Sequence, residues 1–171
     1  MEYDEESVTK KQAAQERQWF ETNRNIGPVS EFSDMTFHAE LIPPSEAVLL
    51  RVLELMNLML AVSKDQWLSD IDWKIRLPEW FLTATPYHPI EELTELMEST
   101  PKDEWHLLPF KYTNWLRGMK CRGWRWFGYT VQQNMLIVHI VIDNSPVYEW
   151  TIEHLLRAAG AKNVTVLFHK R

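Results

Sequence analysis

This chain has few of the features that stabilise many small proteins or direct them to a cellular compartment. It has one cysteine in 171 residues, so no disulfide can form within a single molecule. Its N-terminus, Met1–Glu6, is acidic where a secretory signal would be basic, and no apolar run long enough to span a bilayer follows it. These absences favour a reducing compartment, and we predict a soluble, cytoplasmic protein without a membrane segment.

Motifs for catalysis or cofactor binding are also missing. There is no glycine-rich phosphate loop, the histidines lack metal-ligand spacing, and no cysteine-hydrolase signature surrounds Cys121. Asp70 and Asp72 could hold a divalent cation if they shared one strand face, and His139 could pair with Asp143 as an acid–base dyad. Solvated surface acids and a hydrogen-bonded core histidine explain these pairs better. We predict no catalytic, cofactor or metal site, and a small metal-dependent or His/Asp enzyme is the last alternative.

Charge is divided unevenly between the two parts of the chain. Residues 1–104 hold 21 acids and 9 bases, and residues 105–171 hold 3 acids and 9 bases, so balances of −12 and +6 make up the net charge of −6. Two interpretations are open. The two parts can neutralise each other within the fold, or one of them can meet a partner of opposite charge.

The C-terminal third carries the clearest secondary-structure pattern. Met135–Asp143 is nearly all apolar and rich in β-branched residues, which is typical of a central strand covered on both faces. A strand at Gly123–Val131 and a tight turn precede it, so the two predict a β-hairpin. A helix over Pro146–Ala159 and an alternating strand over Asn163–Phe168 follow, and they predict a βαβ unit.

The preceding part of the chain predicts another strand–helix–strand order. Apolar and polar residues alternate over Met35–Ile42 and again over Asp65–Leu77, which predicts two strands with one buried face each. Between them, Ser45–Val62 has few polar residues and predicts a deeply buried helix. Shorter helices are predicted over residues 6–22, 86–99 and 112–119.

These elements predict one α+β domain over residues 31–171, preceded by a polar, partly helical segment of residues 1–30. The length of 171 residues is enough for one sizeable core and hardly for two. We expect a mixed sheet of about five strands, including the C-terminal hairpin and βαβ unit. Two main helices, Ser45–Val62 and Pro146–Ala159, are expected to cover this sheet.

Two surfaces are candidates for binding a partner. The first is the acidic run of residues 91–104, where Leu93 and Met97 are expected to face inward and leave the carboxylates outside. Its acids are Glu91, Glu92, Glu95, Glu98, Asp103 and Glu104. The second lies on the last helix, where a tryptophan on a polar face needs a cover from the chain or from a partner. Its residues are Trp150, His154 and Arg157.

A basic and aromatic stretch at residues 115–131 suggests a different class of function. Cations and aromatic rings interleaved on a hairpin can grip phosphates and stack on bases. The residues are Arg117, Lys120, Arg122 and Arg125 beside Trp115, Trp124, Trp126 and Phe127. The acidic whole chain and a sheet that can bury the tryptophans speak against it. A nucleic-acid- or phosphate-binding module is therefore the first alternative.

In general character the chain resembles the bacterial immunity proteins that neutralise polymorphic toxins. It is small, acidic, rich in tryptophan with 9 in all, and has no active-site motif. The segments that carry the resemblance are the strand Met135–Asp143, the helix Tyr148–Ala159 with Gly160 after it, and the acidic run Glu91–Glu104. The resemblance implies a binding protein that inhibits a toxin enzyme, often by filling a basic site with acidic side chains. A cognate toxin domain would be the protein partner, and the oligomeric state stays open.

Overall fold

A computed structural model describes residues 5–22, 33–43, 45–85, 90–107 and 112–169 of the chain. Within these ranges it contains seven α-helices, four β-strands and two short 3₁₀ helices, Lys64–Gln66 and Lys102–Leu107. The α-helices are α1 Glu5–Thr22, α2 Ser45–Leu60, α3 Asp70–Arg76, α4 Glu79–Ala84, α5 Ile90–Ser99, α6 Tyr112–Lys120 and α7 Trp150–Ala159. The strands are β1 Met35–Glu40, β2 Trp124–Gln132, β3 Met135–Ile142 and β4 Lys162–Phe168. Among these described helices, none is long and apolar enough to cross a bilayer.

The four strands form one sheet in the order β2-β3-β1-β4, and every neighbouring pair is antiparallel. The predicted hairpin, β2–β3, and the central position of β3 are confirmed. The prediction of a mixed sheet of about five strands is wrong for the described residues. β3 and β4 do run parallel to each other, as a βαβ unit requires, but β1 is inserted between them and pairs with both. The parallel contact that would have made the sheet mixed is therefore absent.

The core lies between one face of this sheet and the helices. The register places Trp126 beside Ile140 and Phe37 beside Val138 on that face, and all four side chains are buried. The two predicted covering helices, α2 and α7, pack against each other over this face with their apolar stripes inward. Five more helices accompany them in the described residues. Four of the nine tryptophans are fully buried in this core, namely Trp73, Trp115, Trp124 and Trp126.

The strand predicted over Asp65–Leu77 is wrong, because this segment forms a 3₁₀ turn and the helix α3. The start of the helix explains the difference. The Asp72 N–H donates to Ser69 Oγ at 3.2 Å, and the Ser69 hydroxyl donates to the Asp72 carboxylate at 2.7 Å. Ser69 thus caps the N-terminus of α3, and the Asp72 carboxylate holds the Ser69 hydroxyl in place. This local capping outweighs the alternation of apolar and polar residues, which would have suited a strand.

The helix predicted over residues 86–99 is present as α5, and residues 86–89 lie outside the described part of the chain. The predicted N-terminal helix is confirmed as α1, which packs against β2. Its buried Glu16 accepts hydrogen bonds from the Trp126 N–H at 2.8 Å and from Arg122 at 2.7 Å. Trp19 adds an edge-to-face contact with Phe127 at 4.9 Å between ring centroids. This helix is therefore fixed to the sheet by both polar and aromatic contacts.

Candidate partner-binding surfaces

The predicted acidic run is built on α5 and the 3₁₀ helix that follows it. The Trp105 indole N–H donates to the carbonyl oxygens of Met97 at 3.2 Å and Thr100 at 3.1 Å, and so ties the 3₁₀ helix to the end of α5. Leu93 and Met97 are half-buried on the inner side, as predicted. All six acids are exposed, namely Glu91, Glu92, Glu95, Glu98, Asp103 and Glu104. We call these six residues the acidic face.

The acidic face gains little from its own fold. Glu91 and Glu95 are four residues apart and Glu95 and Glu98 three, so like charges are neighbours on the helix surface. Glu98 also lies in the last turn of α5, where the helix dipole disfavours a negative charge and no base is present. These three glutamates form no ion pair with any residue in the described ranges. Their charge therefore remains available to a partner.

The second predicted surface, on α7, is largely covered by the protein itself. The His154 ring lies 5.9 Å from the Phe81 ring, and its Nε2 is 3.5 Å from Thr85 Oγ1. Burial, with a smaller contribution from the charge of Arg157, lowers the pKa of His154 to about 4. Arg157 is more exposed and forms an ion pair with Glu153 at 3.3 Å. Thus α4 covers the histidine and leaves the arginine end of this surface open.

Trp150, the third residue of that surface, rests on helix α6. A Cβ atom at Gly118 would lie 2.6 Å from two carbons of the indole, so glycine alone allows this close approach. The Tyr148 ring meets the indole edge-to-face at 6.2 Å. The two rings border an open groove of about 410 Å³. Its lining residues are Asn114, Arg117, Gly118, Cys121, Tyr148 and Trp150.

Replacement of Gly118 by alanine is expected to lower the free energy of unfolding by about 1–3 kcal/mol, because the new methyl group overpacks against Trp150. At an exposed helical position the same change would stabilise by about 1 kcal/mol. Urea denaturation measures the effect, and Asn114→Ala, at an exposed position of the same helix, is the matched control. A Gly118→Ala protein as stable as the wild type would show that Trp150 does not need this close contact.

Much of the predicted basic aromatic stretch is buried or already paired within the protein. Its three tryptophans are buried, so they cannot stack on bases. They are Trp115, Trp124 and Trp126. Arg122 is paired with Glu16 at 2.7 Å and Arg125 with Asp143 at 2.6 Å, so two of its cations are already neutralised. The ion pair with Arg125 gives Asp143 a partner other than His139. The predicted acid–base dyad of His139 and Asp143 is therefore not assembled.

His139 belongs to a group of histidines on the sheet face opposite the core. Its Nδ1 is 3.2 Å from Ser33 Oγ, and its buried Nε2 has no hydrogen-bond partner among the described residues. His38 and His169 are both close to Thr36 Oγ1, at 3.2 Å and 2.9 Å. Burial, with smaller contributions from the neighbouring His169 and His38, lowers the pKa of His139 to about 4. Burial also lowers the pKa of His38, so the fold favours the neutral form of His139 and of His38.

The acids proposed for metal binding do not converge. Asp70 and Asp72 lie two residues apart on a helix, so their side chains point about 200° apart around its axis. Asp72 also accepts the hydrogen bond from the capping Ser69. In the part of the chain that the structure describes, no group of three or more His, Cys, Asp or Glu residues is placed to hold a metal ion.

Sequence reasoning missed an apolar pair on α3. Because Trp73 takes the buried side of this short helix, Ile71 and Ile75 point away from the core and are 73% and 78% exposed. In a strand all three would have shared one face, which is why the alternation suggested burial. The Ser69 and Asp72 capping pair was the signal in the sequence that could have found it.

No protein-family model, curated protein or solved structure matches the chain. The resemblance to immunity proteins therefore rests on the general character of the sequence.

Proposed function

We propose that this protein binds and inhibits a partner enzyme in the manner of a toxin-immunity protein, and that it acts in the cytoplasm. The acidic face makes the contact, and the site it covers on the partner is basic. The observation that carries this proposal is the exposure of all six carboxylates on one small unit, α5 with the 3₁₀ helix Lys102–Leu107.

Physical reasons connect such a face to inhibition. A concentration of one sign of charge steers an oppositely charged protein toward it and raises the association rate. Carboxylates near Trp105, which fixes the end of α5 by two hydrogen bonds, are held on a defined frame and can meet fixed cations on the partner. A basic enzyme site filled in this way is closed to an anionic substrate.

A solvated helix that only aids solubility is the competing explanation. The two explanations differ in what charge reversal does. A solvated face tolerates it, whereas a steering surface loses association rate and its dependence on ionic strength.

Triple replacement of Glu91, Glu95 and Glu98 by lysine is expected to slow association with the partner at least about tenfold, because it removes the steering field. Thermal stability is expected to stay close to that of the wild type, because all three positions are exposed and surface substitutions usually change the free energy of unfolding by about 0.5 kcal/mol or less. The partner is first recovered by pull-down from the native host and its own activity is assayed with and without this protein. Association rates are then measured at low and high ionic strength.

The matched control replaces three exposed acids of other helices, Glu46, Asp65 and Glu79, by lysine. It changes the net charge by the same amount but leaves the acidic face intact, so association should stay within about threefold of the wild type. Equal slowing by both triple variants would assign the effect to net charge. No slowing by the first variant would remove the acidic face as the contact and direct attention to Ile71 and Ile75.

A further inference from the structure

The two edges of the sheet are finished in different ways. At the β2 edge, the Trp126 N–H donates to Glu16 Oε1 of α1 at 2.8 Å instead of to a strand. Arg125 adds a hydrogen bond to Gln15 of the same helix at 2.7 Å, so α1 occupies this edge. At the β4 edge, by contrast, β1 is the only strand in the described part of the chain that pairs with β4.

The open side of β4 presents backbone groups of three apolar residues. The His169 N–H donates to the Asp34 carbonyl at 2.9 Å, so the backbone of His169 points toward β1. Backbone direction alternates along an antiparallel strand, and Leu167 therefore points the same way. The residues whose N–H and C=O groups point to the open edge are Val164, Val166 and Phe168.

The side chains of β4 offer little protection against pairing. Edge strands are commonly defended by charged residues, proline or bulges. Within β4, only Lys162, at its first position, carries a charge, and there is no proline. The register shift between β4 and β1 lies between Lys162 and Thr165, so it leaves the stretch Val166–Phe168 regular. Leu167 and Phe168 are apolar yet 49% and 67% exposed. Backbone donors and acceptors that have no partner in the described part of the chain thus lie beside exposed apolar side chains on a seven-residue strand.

We infer that β4 is a dimerisation strand, and that its occupant is the β4 strand of a second copy of this chain. The two strands pair antiparallel about a two-fold axis at Val166. Val164 of each copy then lies opposite Phe168 of the other, and the two four-stranded sheets become one continuous sheet. This inference is independent of the proposed function, because no residue of the acidic face takes part.

Self-complementarity favours a second copy over another protein. In the proposed register every outward-pointing residue meets an outward-pointing residue, as a two-fold symmetric interface requires. The pairs are valine with valine and valine with phenylalanine, which are favourable cross-strand neighbours. No charged residue stands opposite another between Val164 and Phe168. Antiparallel addition also continues the pattern of all three existing strand pairs.

Sedimentation equilibrium of the full chain over a range of concentrations tests the inference. We expect a concentration-dependent mass that approaches twice the 20.4 kDa of one chain. A thiol reductant is kept in all samples, because the exposed Cys121 could otherwise cross-link two molecules. A mass of one chain at every concentration would overturn the inference.

Two variants locate the interface on β4. Phe168→Lys places a charge at a position that is already exposed, and Val166→Pro removes an N–H that points away from β1. Each is expected to weaken dimerisation at least about tenfold while the circular dichroism spectrum stays native. Thr165→Ser, whose backbone points toward β1, is the matched control and should still dimerise. If the Phe168→Lys protein and the Val166→Pro protein both still dimerise, the contact lies elsewhere and the inference is contradicted.

Discussion

Replacement of Glu16 by alanine is expected to lower the free energy of unfolding by about 3–5 kcal/mol, the effect of breaking a buried ion pair. The Glu16 side chain is 4% exposed and its partner Arg122 18%. One carboxylate oxygen accepts the Trp126 N–H, and the other accepts from Arg122 Nη2. Alanine would leave a largely buried guanidinium without its counter-charge and an edge N–H without an acceptor.

Arg122 makes the loss harder to accommodate by rearrangement. Its other guanidinium nitrogens already donate to the carbonyl oxygens of Trp124 at 3.1 Å and Met119 at 3.1 Å, so the group is held in place. Burial raises the pKa of the Glu16 carboxyl, and attraction to Arg122 opposes that rise. Burying the two charged groups costs desolvation free energy, and only the attraction between both members of the pair offsets that cost.

Equilibrium unfolding in urea measures the loss, and Glu21→Ala is its matched control. Glu21 is a glutamate of the same helix in an ion pair with Arg17, but its side chain is 59% exposed, so its removal should cost about 0.2–1 kcal/mol at most. Glu16→Gln keeps the shape and an acceptor for Trp126, and it should fall between the two. If Glu16→Ala unfolds no more easily than Glu21→Ala, α1 is not fixed to the sheet by this carboxylate.

Acidification is expected to destabilise the protein through its neutral buried histidines. The pKa of His139 and that of His154 are lowered from 6.5 to about 4, in both cases mainly by burial. Between these two values the unfolded chain binds protons that the folded chain does not. The contribution of the two neutral histidines to stability is therefore fully present above pH 6.5, and it is lost as the pH falls toward 4. At about pH 5 each histidine should account for a loss of about 2 kcal/mol.

Urea unfolding near pH 7 and near pH 5 tests this expectation. His139→Gln and His154→Gln each remove one titrating group, so each should reduce the loss of unfolding free energy between pH 7 and pH 5 by about 2 kcal/mol. His38, whose pKa burial also lowers, contributes in the same direction and should leave a residual dependence. An unchanged pH dependence in both variants would show that neither ring is held neutral by the fold.

Local sequence patterns predicted most elements correctly where the pattern of buried residues was compatible with only one type of secondary structure. The apolar run of β3 could satisfy its backbone and hide its side chains only as an internal strand, and it is one. The stripes of α2 and α7 likewise predicted helices that cover the core. The acidic face was predicted from the spacing of Leu93 and Met97, and its six acids are exposed.

Other features depended on contacts that sequence spacing does not contain. Insertion of β1 between β3 and β4 joins residues more than 100 positions apart, such as Met35 and Ile140, and no local pattern selects that order. Trp150 and His154 looked like an open surface, but Gly118 and α4 approach them in space.

The sequence by itself thus determined the hairpin, the excess of exposed acids and five of the described helices, because each follows from local periodicity, capping or charge. These helices are α1, α2, α5, α6 and α7. Only the tertiary structure decided which polar groups are already paired. Glu16 looks like one of many surface glutamates until the fold brings Arg122 and the edge of β2 against it. The same holds for the open edge of β4, since a strand becomes an edge only when the order of the others is known.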